Sequence, residues 1–531
     1  MADIVKYTDT SSPSDMDEVK RLRAEHEYYS IYKPQWEFFI NSYEGGPDAI
    51  DNNIFMHQRE NEEAYTDRVK RAHYLNYSAL TVDFYTNFIF SDVIDRDGGP
   101  DNIEFSEFIK DVDKRGSSID AFMHEVSNNG RIYGHVFVIV DSPSVTLQKG
   151  DVLSEYRAKE LGIRPYWCIV PPDEILDWDT DNFGNYNYVK RLQMEITHDQ
   201  ETGQKQYFEL YREWFLNKVV VTRIDVTDNK RPVIVSKEEF PLPTKQIPIV
   251  CITYKKSKKY QCMGNSFLRD IAGTNRSILN ITSLIDEFLT RQCFNMLAKE
   301  QDSMFPLQNA SKGNVSTSNV VYFPKGGKPP QYISPPVAPA KFLQEERTLN
   351  VNEIFRQAVQ DLRSDLANGE KSSGFSQSLS FSRTVPFIST WAQRLEDAEN
   401  ALLKLTWVFK GKVWKGKIKY KDHYELTNLV DTMTNLLMLF KDLSLPSETF
   451  AKAELKRLVK EHDGKLSVED MTKVMQEIDA LDFKEWHDEV TSGGGGNSPG
   501  EQQQTKQTGT MLEVKQEAMK KKVGPNNKLR S

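Results

Sequence analysis

The sequence predicts an α+β protein that is mainly helical and contains one β-rich region. Apolar residues recur at helical spacing from Asn265 to Ala298 and again from Phe342 to Leu362. Six prolines between Pro324 and Pro339 separate these two patterns, because neither a helix nor a central strand persists through them. Segments rich in β-branched and aromatic residues occupy about residues 130–255, which indicates antiparallel strands.

The composition limits the class of protein. A chain of 531 residues with 38% hydrophobic content is too long for one core, and about two to four domains are expected. The formal net charge of −9 excludes a generic nucleic-acid binder, so any DNA contact would be local or weak. No apolar run is long enough to span a membrane, and the polar N-terminus is not a signal peptide. The four cysteines (Cys168, Cys251, Cys262 and Cys293) form no CxxC pair, which fits a reducing, intracellular compartment.

The N-terminal quarter of the chain is predicted to be disordered at its start and helical after that. Residues 1–24 are expected to be disordered. Glu25–Phe39 is aromatic and helical, and Pro34 should break or kink it. Helical patterns follow at Arg59–Phe90 and Ser106–Asn128. The polar side of the first of these two carries Arg68, Arg71 and Asn76.

The composition changes at Gly130, where RIYGHVFVIVD predicts a strand. Further strands are predicted at 167–170, 186–197, 206–216, 218–226 and 247–252, which together form an antiparallel region. A group of carboxylates follows Pro171-Pro172 and is interpreted as a solvated acidic loop; its members are Asp173, Glu174, Asp177, Asp179 and Asp181.

The first long helix, Asn265–Ala298, would be ~50 Å long. Its stripe is formed by Ile271, Ile278 and Ile285, with Ile281 and Phe288 between them. The second helix should end near Asn368-Gly369; its apolar positions are Phe342, Leu349, Phe355, Ala358, Val359 and Leu362. These helices form either an ordinary hairpin inside a large α+β protein or a hairpin whose apolar stripe must be covered by neighbouring copies of the chain.

The C-terminal part begins with a helix near Pro386 that continues to Phe409, followed by a β-like piece, Lys410–Tyr420. Helices are predicted near 425–442, 447–462 and 467–481. From Thr491 the glycine- and glutamine-rich chain should be disordered. Glu513–Ser531 carries six basic and two acidic side chains, and it is either a solvated tail or a site that binds a partner.

Motifs of enzyme chemistry are not found. The sequence contains no GxxxxGK[ST], HExxH or GxSxG motif and no paired Cys/His spacing, and its nine histidines are scattered. We therefore predict no catalytic, cofactor-binding or metal-binding residues and no cofactor. In a chain of this size, that result favours a structural component over an enzyme.

The order of segments shows a resemblance to a known family. WEFFINSYEGG precedes RAHYLNYSALTVDFYTNFIFS, and then come GRIYGHVFVIVD, IVPPDEILDWD and QIPIVCITY. NSFLRDIAGTNRSILNITSLIDEFL, EIFRQAVQDLRSDLANGEKSSGFSQSLSFSR and AQRLEDAENALLKL complete the series. Over roughly residues 25–480 the chain resembles the portal (head-to-tail connector) proteins of tailed bacteriophages.

The resemblance implies a homo-oligomeric ring, usually of twelve subunits, at one vertex of the capsid. Viral double-stranded DNA would be packaged and ejected through its channel. The ring would dock the terminase large subunit and later the head-tail connector or adaptor proteins. It would also contact the major capsid protein and a scaffold protein. The protein would assemble in the host cytoplasm and end in the virion, with no membrane partner.

The resemblance also implies a division of the chain. The wing would comprise 25–262, with 385–420 as a long helix returning to it. The stem helices would be 263–300 and 340–367, the clip 301–339 and the tunnel loop 368–384. A helical crown would span 421–490, before a disordered tail at 491–531.

Candidate site residues follow from these segments. The DNA-channel candidates in the tunnel loop are Lys371, Ser372, Ser373, Gly374 and Arg383. Stem-helix packing is assigned to Ile271, Ile278, Ile281, Ile285, Phe288, Phe355 and Leu362. The clip candidates are Val320, Val321, Tyr322 and Phe323.

Two other classes of function remain open. An intracellular nucleic-acid-processing enzyme with a helical lid would be a monomer or dimer, whereas a soluble scaffold would lack a channel. A closed ring is favoured by the stripe on two consecutive helices, because repetition of one face around a ring supplies each helix with neighbours.

Overall fold

A computed structural model describes most of the first 424 residues. The described residues are 13–91, 93–143, 162–198, 203–228, 232–242, 244, 246–260, 262–292, 296–301, 320–324, 331–333, 338–358, 384–421, 424, 452, 456 and 468–480. Met1–Glu425 forms one compact unit and Leu426–Ser531 a second.

The described helices are numbered here in chain order. They are α1 (Pro13–Arg23), α2 (Glu27–Glu44), α3 (Gly46–Ile50), α4 (Glu62–Arg71), α5 (Tyr77–Ile89), α6 (Asn102–Phe108), α7 (Ile119–Tyr133), α8 (Ile271–Gln292), α9 (Ala338–Gln357), α10 (Val385–Phe409) and α11 (Val468–Ala480). Short 3₁₀ turns lie at Gly99–Asp101, Pro172–Glu174 and Phe267–Arg269.

The described strands are β1 (Asp95–Asp97), β2 (His135–Asp141), β3 (Tyr166–Val170), β4 (Ile175–Thr180), β5 (Tyr186–His198), β6 (Lys205–Phe215), β7 (Lys218–Asp225), β8 (Val233–Pro241), β9 (Ile249–Thr253), β10 (Met296–Gln301), β11 (Val320–Pro324), β12 (Gln331–Ile333) and β13 (Lys417–Lys419). An antiparallel five-stranded sheet has the order β4-β5-β6-β7-β8, and an antiparallel three-stranded sheet the order β3-β2-β9. The antiparallel region predicted between residues 130 and 255 is therefore confirmed, and the protein is a mixed α+β protein.

The N-terminus departs from the prediction of disorder, since residues 13–23 form α1. Val19 and Leu22 of this helix are buried. Arg21 forms an ion pair with Glu213 at 2.7 Å. These tertiary contacts stabilise a helix whose own sequence is mostly polar.

Pro34 does not break α2, which continues through it to Glu44. A proline inside a helix removes one backbone hydrogen bond. Here the buried side chains of Tyr29, Tyr32, Trp36 and Phe39 hold the helix against the core on both sides of Pro34.

The strand predicted from Gly130 begins only at His135, because residues 130–133 complete α7. A Cβ on Gly130 would lie 2.8 Å from the Trp391 ring, so glycine permits α10 to approach closely. The helix ends at Gly134 with φ of 90°, a conformation that glycine adopts without strain.

Strand β2 separates two hydrophobic cores. Phe137 and Ile139 face the first core, which also contains the start of α8 and the end of α9. Val136, Val138 and Val140 face the second core, which α10 closes with Trp391 and other apolar side chains. A strand covered on both faces explains the nearly continuous apolar run of its sequence.

Arg131 lies completely buried at the second core. Aromatic rings of Tyr85, Tyr254, Phe267 and Trp391 surround its guanidinium, with centroids 4.5 to 5.7 Å from Cζ. No described residue accepts a hydrogen bond from its three side-chain nitrogens. Burial lowers the pKa of Arg131 to about 10, so the side chain remains a cation at neutral pH.

The long helix predicted at 263–300 is shorter in the structure. It begins at Ile271 and ends at Gln292, and residues 296–301 form the central strand β10. This strand pairs with β11 in parallel and with β12 in antiparallel orientation. Backbone pairing with these two strands replaces the last turns of the expected helix.

The second unit is described mainly by α11, at the position where a helix was predicted near 467–481. The Lys452 ammonium donates a hydrogen bond to the Asp479 carbonyl at 3.0 Å. Lys456 forms an ion pair with the Asp479 carboxylate.

Candidate assembly surface

Helices α8 and α9 form a hairpin whose two ends meet at Tyr85. The Tyr85 ring lies 5.4 Å from Phe267, which leads into α8. The Tyr85 hydroxyl donates a hydrogen bond to the carbonyl of Ala358, which follows α9. One helix therefore leaves the body near the point to which the other returns, and the two helices pack antiparallel.

Polar groups anchor α8 to the body. The Arg68 guanidinium donates hydrogen bonds to the Ser283 hydroxyl and to the Phe55 carbonyl, at 2.9 and 2.8 Å. The Asn280 amide bonds to the backbone of Asn53 and Phe55, each at 2.8 Å. Arg68 was predicted on a polar surface but is 2% exposed, because α4 packs against α8.

An ion pair and a histidine–carboxylate contact continue this anchoring toward the far end of α8. Arg71 forms an ion pair with Glu287. His73 lies 3.3 Å from the Asp286 carboxylate. The inward side of α8 is thus apolar near its start, where Ile271, Ala272, Ile278 and Leu279 are buried, and polar from Thr282 onward.

The outward side of α8 holds an apolar stripe. Ser277 and Leu284 are exposed, and Ile281 and Phe288 are half-buried at the adjoining helical positions. Gly273 begins this side, and beyond its own stretch of helix no described atom lies within 4 Å of the position that its Cβ would occupy. This side of the helix therefore has room for another helix or sheet to approach closely.

The outward side of α9 exposes two large apolar side chains among polar ones. Phe342 is 65% and Leu349 62% exposed, and their spacing of seven residues places them on one side of the helix. The opposite side packs on α8 and ends in the buried Ile354 and Phe355. We call the outward residues Ile281, Leu284, Phe288, Phe342 and Leu349 the hairpin surface.

The predicted packing residues have different surroundings. Ile271, Ile278 and Phe355 are buried within this chain, whereas Ile281, Ile285 and Phe288 are half-buried. The clip candidates Val320, Val321, Tyr322 and Phe323 form β11 at one edge of its three-stranded sheet. Leu362 and the tunnel-loop candidates Lys371, Ser372, Ser373, Gly374 and Arg383 lie outside the described residues.

The acidic segment after Pro171-Pro172 is not the solvated loop that was predicted. Residues 175–180 form β4, in which Ile175, Leu176 and Trp178 are buried. Its carboxylates pair with β5: Glu174 lies 2.7 Å from Arg191, and Asp177 lies 3.6 Å from Lys190.

Neither a metal cluster nor a membrane span is found in the described part of the chain. No three His, Cys, Asp or Glu side chains there come close enough to hold a metal ion. None of the described helices combines the length and apolar content that crossing a membrane requires.

The sequence pattern missed the polar anchoring of α8. The helical spacing of apolar residues places polar residues on the solvent side. The structure instead buries Asn275, Thr282 and Ser283. The positions of Asn275, Asn280 and Ser283 among the isoleucines could have indicated this anchoring. Polar groups that are buried beside apolar residues require hydrogen-bond partners.

The chain matches no protein-family model and no curated protein. Among solved structures, a chain from the virion of a native gene transfer agent (GTA) particle is 10% identical, with a TM-score of 0.39 over 83% of this chain and 98% of that chain. A chain from the neck of an empty GTA particle, computed with C6 symmetry, is 9% identical, with a TM-score of 0.42 over 77% and 97%. A chain from the neck of a native GTA particle, computed with C12 symmetry, is 11% identical, with a TM-score of 0.35 over 75% and 89%.

Proposed function

We propose that this protein is a portal subunit that forms a closed ring at one capsid vertex. Double-stranded DNA would pass through the ring during packaging and ejection. The ring would first dock the terminase large subunit and afterwards the head-tail connector proteins. The proposal is supported by the order of sequence segments and by the helix hairpin, which exposes large apolar side chains on each of its helices.

The hairpin surface is the observation that carries the proposal. Each fully buried Phe or Leu side chain contributes about 1.5–3 kcal/mol relative to exposure. Phe342 and Leu349 remain more than half exposed in the single chain. Neighbouring copies arranged in a ring would cover the same surface on every subunit, which a single hairpin cannot do for itself.

The oligomeric state tests this function. We expect native mass spectrometry and two-dimensional class averages of the full chain to show closed rings near twelve subunits. The Phe342→Glu/Leu349→Glu variant should remain folded but lose rings, because two buried charges oppose subunit contact. The matched control, Val93→Glu/Val413→Glu, replaces two residues that are 84% and 74% exposed and should assemble normally. Monomers of the wild type at high concentration would contradict the proposal.

The proposed clip contains β11 and β12, the two edge strands of the small sheet. Edge strands have unpaired backbone groups that can add a further strand. We propose that this region pairs with neighbouring subunits and docks the packaging ATPase. Deletion of residues 308–334 should abolish ATPase binding, and normal assembly and binding after the deletion would disprove this role.

The proposed tunnel loop, 368–384, would contact DNA without holding it tightly. Each phosphate that a cation neutralises releases counterions and adds affinity, so a sliding contact requires few basic groups. The loop contains only Lys371 and Arg383 as basic residues. Replacement of both by alanine should leave rings intact and alter the amount of DNA packaged or retained. Unchanged packaging and retention in intact rings would exclude this contact.

A further inference from the structure

Strand β9 is one edge of the three-stranded sheet β3-β2-β9. At one end of β9, the Val140 N–H donates a hydrogen bond to the Pro248 carbonyl at 2.9 Å. At the other end, the Tyr254 N–H donates to the Gly134 carbonyl at 2.8 Å. Bonded and non-bonded residues alternate along an antiparallel pair of strands, so the odd-numbered residues of β9 direct their backbone groups away from β2. These residues are Ile249, Cys251 and Thr253.

A cleft with a volume of about 620 Å³ lies along this edge. Ile249 and Cys251 contact the first core and Val250 contacts the second, yet all three line the cleft. Since side chains from both faces of the sheet line the cleft, it follows the edge of β9. The Arg394 guanidinium donates to the Thr253 carbonyl at 2.9 Å, but no described residue bonds to the outward N–H or carbonyl of Cys251. A free strand edge of this kind can add a strand from another chain.

A tight loop supplies one wall of the cleft. Residues 255–257 pair with residues 263–265 in antiparallel orientation. The Ser257 N–H donates to the Met263 carbonyl at 2.8 Å, and Lys256 lies at the centre of the pairing. The backbone that carries Lys256 is therefore fixed before a ligand binds, which lowers the entropic cost of binding.

The cleft is cationic, although the whole chain has a formal net charge of −9. Its wall contains two charged side chains, Lys256 and Lys404 of α10, and no carboxylate. Both lysines are exposed, and neither forms an ion pair with another described residue. Further exposed lysines lie on the same loop, at Lys255, Lys258 and Lys259.

The carboxylates that adjoin this wall along the chain do not neutralise it. Asp181 precedes the wall residue Asn182, but its carboxylate accepts three hydrogen bonds within its own turn, each at 2.8 Å. Asp397 lies on α10, roughly 10 Å along the helix from Lys404, and outside the wall. The two lysines of the wall are thus available to an anionic ligand.

We propose that this cleft binds an extended acidic segment of another protein, which adds a strand to β9. The backbone of that segment pairs with Cys251, and its carboxylates pair with Lys256 and Lys404. Phe183, which is 91% exposed at the rim, contacts an apolar side chain of the segment. A nucleic acid could use the two lysines, but only a polypeptide also satisfies the free strand edge. The inference goes beyond the proposed ring and does not depend on it, because one chain supplies the whole cleft.

A labelled peptide tests the charge requirement. A short fluorescent peptide of valines and glutamates should bind the full-length protein, as measured by fluorescence anisotropy, and a peptide of valines and lysines should not. Lys256→Glu/Lys404→Glu should weaken binding by about tenfold or more. The matched control is Lys20→Glu/Lys70→Glu, which makes the same change of net charge at side chains that are 77% and 71% exposed. This control should bind the peptide normally.

A modified peptide tests the strand pairing. Methylation of the backbone nitrogens of the valine–glutamate peptide removes its hydrogen-bond donors and should weaken binding by a similar factor. Hydrogen-exchange mass spectrometry should show slower exchange across residues 249–253 when the unmodified peptide is bound.

Several outcomes would overturn the inference. They are failure of the folded wild type to bind the valine–glutamate peptide, equal binding by the two double variants, and equal binding of the methylated peptide. Preferential binding of a single-stranded oligonucleotide at the same lysines would identify a nucleic-acid site instead. Peptide binding by a chain that never forms rings would overturn only the proposed function, and rings without peptide binding would overturn only this site.

Discussion

The Arg68 guanidinium and the Glu60 carboxylate form a two-point ion pair inside the protein. Nε lies 2.8 Å from Oε1, and Nη2 lies 2.7 Å from Oε2. The pKa of Glu60 is lowered, chiefly by the hydrogen bond from Arg68. The same guanidinium bonds to Ser283 on α8, so one side chain connects α4, the preceding loop and the hairpin.

Arg68→Ala should therefore lower the free energy of unfolding by about 2–4 kcal/mol, because it removes the guanidinium that bonds to Ser283 and the Phe55 carbonyl and leaves the half-buried Glu60 without its partner. Urea denaturation of the monomer measures this change. Lys70→Ala, on the same helix, removes only an exposed pair with Asp67 at 4.0 Å and should change stability by less than about 0.5 kcal/mol. Equal effects of the two substitutions would show that the Arg68 contacts are not structurally important.

His135 should make the protein less stable in mild acid. Burial lowers the pKa of His135 to about 3, and no described residue bonds to its Nδ1. Between pH 6.5 and 3 the unfolded chain binds a proton that the folded chain does not, so stability falls as pH falls. From pH 6.5 to 5 this group should remove about 1.6 kcal/mol, because the unfolded histidine is half protonated at pH 6.5 and the full slope of ~1.4 kcal/mol per pH unit is reached only below it.

The matched variant is His135→Phe, which retains an aromatic ring between Trp36 and Phe137. Its free energy of unfolding should fall less between pH 6.5 and 5 than that of the wild type, by about 1.6 kcal/mol. Parallel stability curves for the two proteins over this range would contradict the assignment of a neutral, buried imidazole.

Substitutions at Gly273 should distinguish the stability of the monomer from the assembly of the ring. Since space is open around its Cα, Gly273→Ala should raise the free energy of unfolding of the monomer by about 0.5–1 kcal/mol. Gly273→Leu should also leave the monomer folded, but it should prevent rings if a neighbouring subunit approaches this side of α8. Normal rings in Gly273→Leu, judged by native mass spectrometry, would place the subunit contact elsewhere on the hairpin.

The sequence predicted those helices and strands whose pattern of apolar residues lies within the element itself. The spacing of apolar residues predicted a helix from Pro386 to Phe409, and the structure places α10 there with Trp391, Leu395 and Leu402 buried. The antiparallel region was likewise evident from β-branched runs. In both cases the pattern of buried side chains repeats at the period of the element itself.

Features that depend on distant partners were not predictable in this way. The apolar residues near Met296 fit a helix or a strand equally well, and pairing with β11 and β12 decides for a strand. Helix α1 depends on carboxylates almost two hundred residues away, at Glu209 and Glu213. The burial of Arg68 likewise depends on Ser283, which no local period reveals. The tunnel-loop residues remain predictions.

The second core cannot close until most of the chain has been synthesised. Strand β2 ends at Asp141, and α10 begins at Val385, roughly 240 residues later. At about 5–20 residues per second, the ribosome needs ~12 s or more to make that interval. Until then α10 does not cover Val136, Val138 and Arg131. A nascent or truncated chain that ends before α10 therefore exposes an apolar surface that contains the Arg131 cation. Newly made chains should accordingly depend on chaperones until α10 has emerged, and a fragment that stops at residue 262 should aggregate.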